Sequence, residues 1–108
     1  VDYLSALHDI GIIKQDSFVT DGHSEYYGIE NDKVVSPPVH EKFPIANACN
    51  RQEFLKYLSL HEQGKINYIE MSKGLADSGI EKWTFDTHKM TIAYYSLDGN
   101  EIWVEKME

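Results

Sequence analysis

An internal repeat constrains this chain more than any local propensity does. Residues 7–36 return without a gap as residues 75–104, at an offset of 68. The pairs Leu7/Leu75, Asp9/Asp77, Gly11/Gly79, Ile12/Ile80, Lys14/Lys82, Tyr26/Tyr94 and Tyr27/Tyr95 are identical, and Ile29/Leu97, Glu30/Asp98 and Val34/Ile102 are conservative. Chance would give roughly two identities in such a window, so the register argues for a duplicated unit. Duplication speaks to architecture and is silent about chemistry.

Each copy reads as helix, strand, strand, strand. Asp2 to Asp9 is expected to be helical, with Tyr3, Leu4, Leu7 and Ile10 at helical spacing. Gly11 follows in the position a C′ glycine takes. Ile12 to Val19 reads as a strand and His23 to Ile29 as its return. Thr20-Asp21-Gly22 joins them as a hairpin turn in which both Asp and Gly tolerate positive φ. Glu30-Asn31-Asp32 turns again, and Lys33 to Ser36 begins a third strand that Pro37-Pro38 stops.

Pro38 to Asn50 is irregular, and two cap signals follow. Asn50 with Glu53, and Asn67 with Glu70, are capping-box-like pairs. They predict helices over about 51–63, burying Phe54, Leu55 and Leu58, and over about 68–78, with Gly64 and Gly79 ending them. Gly74 inside the second costs about 1 kcal/mol relative to Ala, which predicts close packing against the sheet. Glu81 to Asp86 alternates, with Trp83 and Phe85 on one face. Met90 to Leu97 and Glu101 to Met107 complete a meander through turns at Thr87-His88-Lys89 and Asp98-Gly99-Asn100.

The expected fold is one α+β domain spanning residues 1–108. Repeat one covers about 1–36, a linker loop with an extra helix about 37–66, and repeat two about 67–107. The two tandem αβββ repeats, related by approximate two-fold symmetry, would form a mostly antiparallel sheet with helices packed on one face. The copies differ at one place. Gln15 and Ser17 stand where Trp83 and Phe85 stand, so the first strand is expected either to carry a bulge or, the favoured reading, to lie at a less buried edge, with the aromatic core mainly in the second half.

Composition excludes several classes of function. The net charge of −8 argues against a nucleic-acid partner, because phosphate binding needs a basic surface. No apolar run is long enough for a membrane span, and no signal-peptide pattern is present. Cys49 is the single cysteine, which allows no intrachain disulfide and fits a reducing cytoplasm. It precedes a predicted helix, whose dipole would favour a thiolate. The chain opens on Val in what reads as mid-helix, so a further N-terminal stretch is expected upstream.

Several stretches also match a known pattern. They are Thr20-Asp21-Gly22-His23 before Tyr26-Tyr27-Gly28, Lys33-Val34-Val35-Ser36-Pro37, His61-Glu62-Gln63-Gly64-Lys65 and Ala76-Asp77-Ser78-Gly79-Ile80-Glu81-Lys82-Trp83. With them go Met90-Thr91 before Tyr94-Tyr95, and Gly99-Asn100-Glu101 before Val104-Glu105-Lys106. On these the chain resembles the YbcV-like bacterial and phage family of uncharacterised proteins, sometimes labelled "phage envelope protein". The resemblance implies a shared fold over essentially the whole chain, and it carries over no catalytic residue and no cofactor.

No catalytic constellation stands out. His8, His23, His40, His61 and His88 show no HExxH or His-x-His spacing, so no metal site is expected. The serines lack a nucleophile-elbow context, and the glycines are spaced as caps and turns rather than as a phosphate loop. The aromatics remain. Strand alternation puts one ring of each Tyr-Tyr pair on each face of the sheet, and helices can cover only one face. Tyr26, Tyr27, Tyr94, Tyr95 and Trp103 are therefore the candidate binding residues.

The leading expectation is a non-enzymatic interaction or accessory protein, of bacterial or phage origin. It would bind an unknown protein or small ligand, or a second copy of itself, through an aromatic sheet face or an acidic surface. One alternative is a small hydrolase or isomerase with a site at the repeat junction, lined by His23, His88 and carboxylates. The other is an acidic charge mimic that occupies a basic partner.

Overall fold

The computed structural model describes residues 2–30 and 32–106. The turn expected at Asn31 and the strand end expected at Met107 lie outside them. The elements are α1 (Asp2–Asp9), β1 (Ile12–Phe18), β2 (Ser24–Gly28), β3 (Lys33–Val35), α2 (Arg51–Glu62), α3 (Tyr68–Asp77), β4 (Ile80–Asp86), β5 (Thr91–Ser96) and β6 (Glu101–Lys106). The six strands form one sheet in the order β3-β2-β1-β4-β5-β6, and every neighbouring pair is antiparallel. The chain is an α+β protein.

Local chemistry sets the element ends. Asn67 and Glu70 make a full capping box at α3, with each side chain bonded to the other residue's backbone N–H. At α2 only half of the box forms, where the Asn50 side chain accepts from the Glu53 N–H. The β1–β2 hairpin differs from expectation. It is a longer loop in which only Gly22 has positive φ, and the Asp21 carboxylate instead accepts the His23 N–H at 3.0 Å.

All three helices lie on one face. Phe54 and Leu58, one helical turn apart on α2, and Met71 and Leu75 on α3 pack with Ile80, Trp83, Ile92 and Tyr94 of the sheet. Leu55 is only partly buried against this core. In α1, Leu4 and Leu7 turn inward, whereas Tyr3 and Ile10 remain exposed. The crossing loop is tied to the end of α3 by Ala46 N–H to Ala76 O and Asn50 N–H to Ser78 O. The Ala76 carbonyl also accepts from the Gly79 N–H, and the Asn50 bond gives the Ser78 carbonyl beyond the helix end a partner.

Two expectations are corrected. Strand β1 is central rather than an edge, lying between β2 and β4. Gln15 and Ser17 are buried there and paired with one another and with Ser24, while the Tyr3 hydroxyl donates to Gln15. Mutual hydrogen bonding thus lets these polar side chains be buried on a central strand. Gly74 does pack closely, but against α2: a Cβ there would meet the Tyr57 ring at 2.4 Å.

Candidate functional site

The opposite face of the sheet carries no helix among the described residues. Strand register defines it. Lys33 and Val35, Glu25 and Tyr27, Lys14, Asp16 and Phe18, Lys82, Thr84 and Asp86, Thr91, Ala93 and Tyr95, then Glu101, Val104 and Lys106 succeed one another across it. At its centre Asp16 is buried and accepts a 2.6 Å hydrogen bond from Thr84. The ammonium groups of Lys82 and Lys14 stand 3.4 and 3.8 Å from its other carboxylate oxygen.

Two tyrosines flank this centre, each beneath a lysine. Lys14 lies 4.5 Å from the Tyr27 ring centre, and Lys82 lies 5.6 Å from that of Tyr95. Such contacts hold the apolar stem and the charge of the lysine against one ring. The Tyr27 hydroxyl donates to Glu25 at 2.7 Å. That bond lowers the Glu25 pKa against the opposing effect of burial, with Lys33 adding to the lowering. The same bond pushes the Tyr27 pKa up to about 12. Tyr95 is raised by burial and then by the Glu101, Asp16 and Asp86 carboxylates.

The sequence-predicted aromatics therefore separate into two groups. Tyr27 and Tyr95 share the open face. Tyr26, Tyr94 and Trp103 point to the helix-covered side, because each alternates with or pairs across from a core-facing residue. Tyr94 packs against Phe54 and Trp83, and Tyr26 faces Gln15. Trp103 lies beneath Arg51, with its indole N–H donating to Glu105. Residue type alone did not single out Lys14, Lys82, Asp16 or Thr84. Lys14 and Lys82 did carry a signal, being one of the identical pairs of the repeat and sharing strand parity with Tyr27 and Tyr95.

The other candidates are dispersed. His23 and His88 lie at opposite ends of the β1–β4 pair, which aligns Phe18 with Lys82 and Lys14 with Asp86. His23 instead stacks on Phe18 and contacts Asp21 at 2.5 Å, and His88 approaches His8. Among the described residues no three His, Cys, Asp or Glu side chains are grouped to hold a metal. The Cys49 thiol is pushed up by partial desolvation and then by Asp98, against the lowering expected at a helix start. A hollow of about 450 Å³ at the β3 edge is lined by Ile10, Ile29, Val34 and Tyr26, with Glu30 and Asp32 beside them. It brings together no reactive groups.

Fold and site together define a small α+β sheet protein with one face under helices and the other bearing lysine-capped tyrosines. No described helix is long and apolar enough to cross a membrane. The chain belongs to the family described as protein of unknown function DUF1398, which matches residues 1–106. No curated protein matches it.

Proposed function

We propose that this chain is a non-enzymatic interaction protein whose recognition surface is the open face of the sheet, and that its occupant is a second copy of the chain. The observation that carries this is charge balance. Lys14, Lys33, Lys82 and Lys106 stand there against Asp16, Glu25, Asp86 and Glu101, whereas the chain as a whole carries −8. The surplus of acid therefore lies elsewhere. Two copies repel over most of their surface and complement each other only on this face, with Tyr27 and Tyr95 as aromatic anchors.

The same proposal includes descent from a tandem duplication, α1–β3 and α3–β6, about an approximate two-fold axis. Supporting it, β1 and β4 meet at the centre of the strand order, and both carry a register shift at the same offset, Ile12/Lys14 and Ile80/Lys82. A bacterial or phage origin rests on the YbcV-like resemblance, and a cytoplasmic location on the single cysteine.

Sedimentation velocity over a concentration series tests the dimer. A reversible dimer with a Kd on the order of micromolar is expected, weakened at least about tenfold in a Lys14→Glu/Lys82→Glu variant and in Tyr27→Ala/Tyr95→Ala. Circular dichroism and thermal melts establish that each variant is folded. A strictly monomeric wild type, or a dimer that both folded variants leave intact, refutes the proposal.

A further inference from the structure

On the helix-covered side a second feature stands apart from the open face. A groove of about 270 Å³ runs between α2, α3 and strands β4, β5 and β6, with Tyr68, Trp83, Phe85 and Tyr94 among its walls and Glu62 and Glu105 on its rim. The rings meet at angles, Tyr68 to Trp83 at 82° and Trp83 to Tyr94 at 48°, so their faces and edges surround a common space. No lysine or arginine lines it.

That last point separates these rings from the others. Elsewhere, Lys14 and Lys33 cover Tyr27, Lys82 covers Phe18 and Tyr95, and Lys56, Lys73 and Arg51 cover Tyr57, Phe43 and Trp103. None of the four groove rings has such a partner among the described residues. Tyr94, 6 % exposed, brings its phenolic hydroxyl to the same groove. Both rim carboxylates act on that hydroxyl: burial raises its pKa most, followed by Glu105 and then Glu62. Two negative charges thus stand beside aromatic rings that no lysine or arginine covers.

We infer that this groove binds a small organic cation of the quaternary-ammonium class, with the aromatic rings taking its methyl groups and Glu62 and Glu105 its charge. Ring quadrupoles attract a cation held over them, and desolvation strengthens the effect. A neutral molecule of the same shape would gain only the apolar contact. A metal ion would find the carboxylates without the further ligands it needs.

The test uses choline and its uncharged carbon isostere 3,3-dimethylbutan-1-ol, each titrated into the whole chain and followed through the two indole N–H resonances. These are assigned with Trp83→Phe and Trp103→Phe. Choline should shift the Trp83 resonance saturably, and the isostere should bind at least about tenfold more weakly. Glu105→Gln, and separately the exposed Glu62→Gln, should weaken choline while leaving the isostere unchanged. Equal affinity for the two probes, a response confined to Trp103, the absence of saturation, or indifference to both folded glutamine variants overturns the inference. The groove lies on the side of the sheet away from the proposed dimer face, so this outcome is independent of the oligomeric state.

Discussion

Thr84 donates a 2.6 Å hydrogen bond to the carboxylate of Asp16, and the two residues are 68 positions apart in the chain. They are also Cα partners across the central β1–β4 pair. In the proposed duplication the copies are offset by 68, which makes this the one place in that pair where a residue faces its own counterpart. Under that proposal, counterparts that stayed identical would set two carboxylates or two hydroxyls against each other there. One acid and one alcohol resolve the conflict. The proposed two-fold axis is thus approximate where it passes through the molecule.

Because Asp16 is buried beneath Lys14 and Lys82, its hydrogen bond to Thr84 is expected to matter for stability. Thr84→Val should cost about 2 kcal/mol in urea denaturation, because it removes a donor from a buried charge. In the double variant Asp16→Val/Thr84→Val the loss should fall short of the sum of the single losses, since each residue's role depends on the other. Strict additivity would show that the two do not interact in solution.

The Glu25–Tyr27 hydrogen bond predicts pH dependence at both ends of the scale. The Glu25 pKa is lowered below its ordinary 4.5, chiefly by the Tyr27 hydroxyl. Its contribution is therefore present above about pH 4.5 and lost as the pH falls through the lower folded value. Tyr27 is raised from 10.0 to about 12, chiefly by Glu25. That contribution is complete below pH 10 and fades as the pH climbs toward 12. Denaturation profiles of Tyr27→Phe should be flatter than wild type in both windows. Parallel profiles would mean that the bond contributes nothing.

Gln15 offers a test of the buried polar cluster. Its amide nitrogen lies 3.2 Å from both Ser17 and Ser24 hydroxyls, and its oxygen accepts from Tyr3. Gln15→Leu would add apolar burial, yet take away the acceptor of the Tyr3 hydroxyl and leave the Ser17 and Ser24 hydroxyls only each other. We expect a net loss of about 1–3 kcal/mol, since an unsatisfied buried group costs more than one added apolar contact returns. A stabilised variant would show that the site accepts an apolar core like that of the other half.

This same site marks the limit of what the sequence could reveal. Helix ends were legible because their signals are local: Asn50 and Asn67 cap their own helices, and Gly11 and Gly79 end theirs. Strand parity was legible too, and it separated Tyr26 from Tyr27 and Tyr94 from Tyr95. The burial of Gln15 was not. An isolated polar strand reads as an edge, and only the pairing of β1 with both β2 and β4, together with Tyr3 from α1, supplies the partners that make burial tolerable. Gly74 failed for a similar reason: its tolerance is set by Tyr57, a residue on another helix. The site behaved likewise, since Lys14, Asp16, Lys82 and Thr84 become a cluster only through the β1–β4 register.

Gly11 and Gly79 separate the local demand of a helix end from the tertiary one. Both follow a helix with φ of 88° and precede a strand. A Cβ on Gly11 meets nothing within 4 Å, whereas on Gly79 it would lie 2.6 Å from the Ala48 carbonyl oxygen and 2.8 Å from Cys49 Cα. Gly11→Ala should therefore cost only the left-handed backbone strain, about 1–2 kcal/mol. Gly79→Ala adds a collision with a backbone strap that cannot rotate away, and should cost about 3 kcal/mol or more. Chemical denaturation of the two variants gives the comparison directly. Equal losses would mean that the crossing loop yields freely at Ala48–Cys49, and that its hydrogen bonds to α3 contribute little to holding the helices over the sheet.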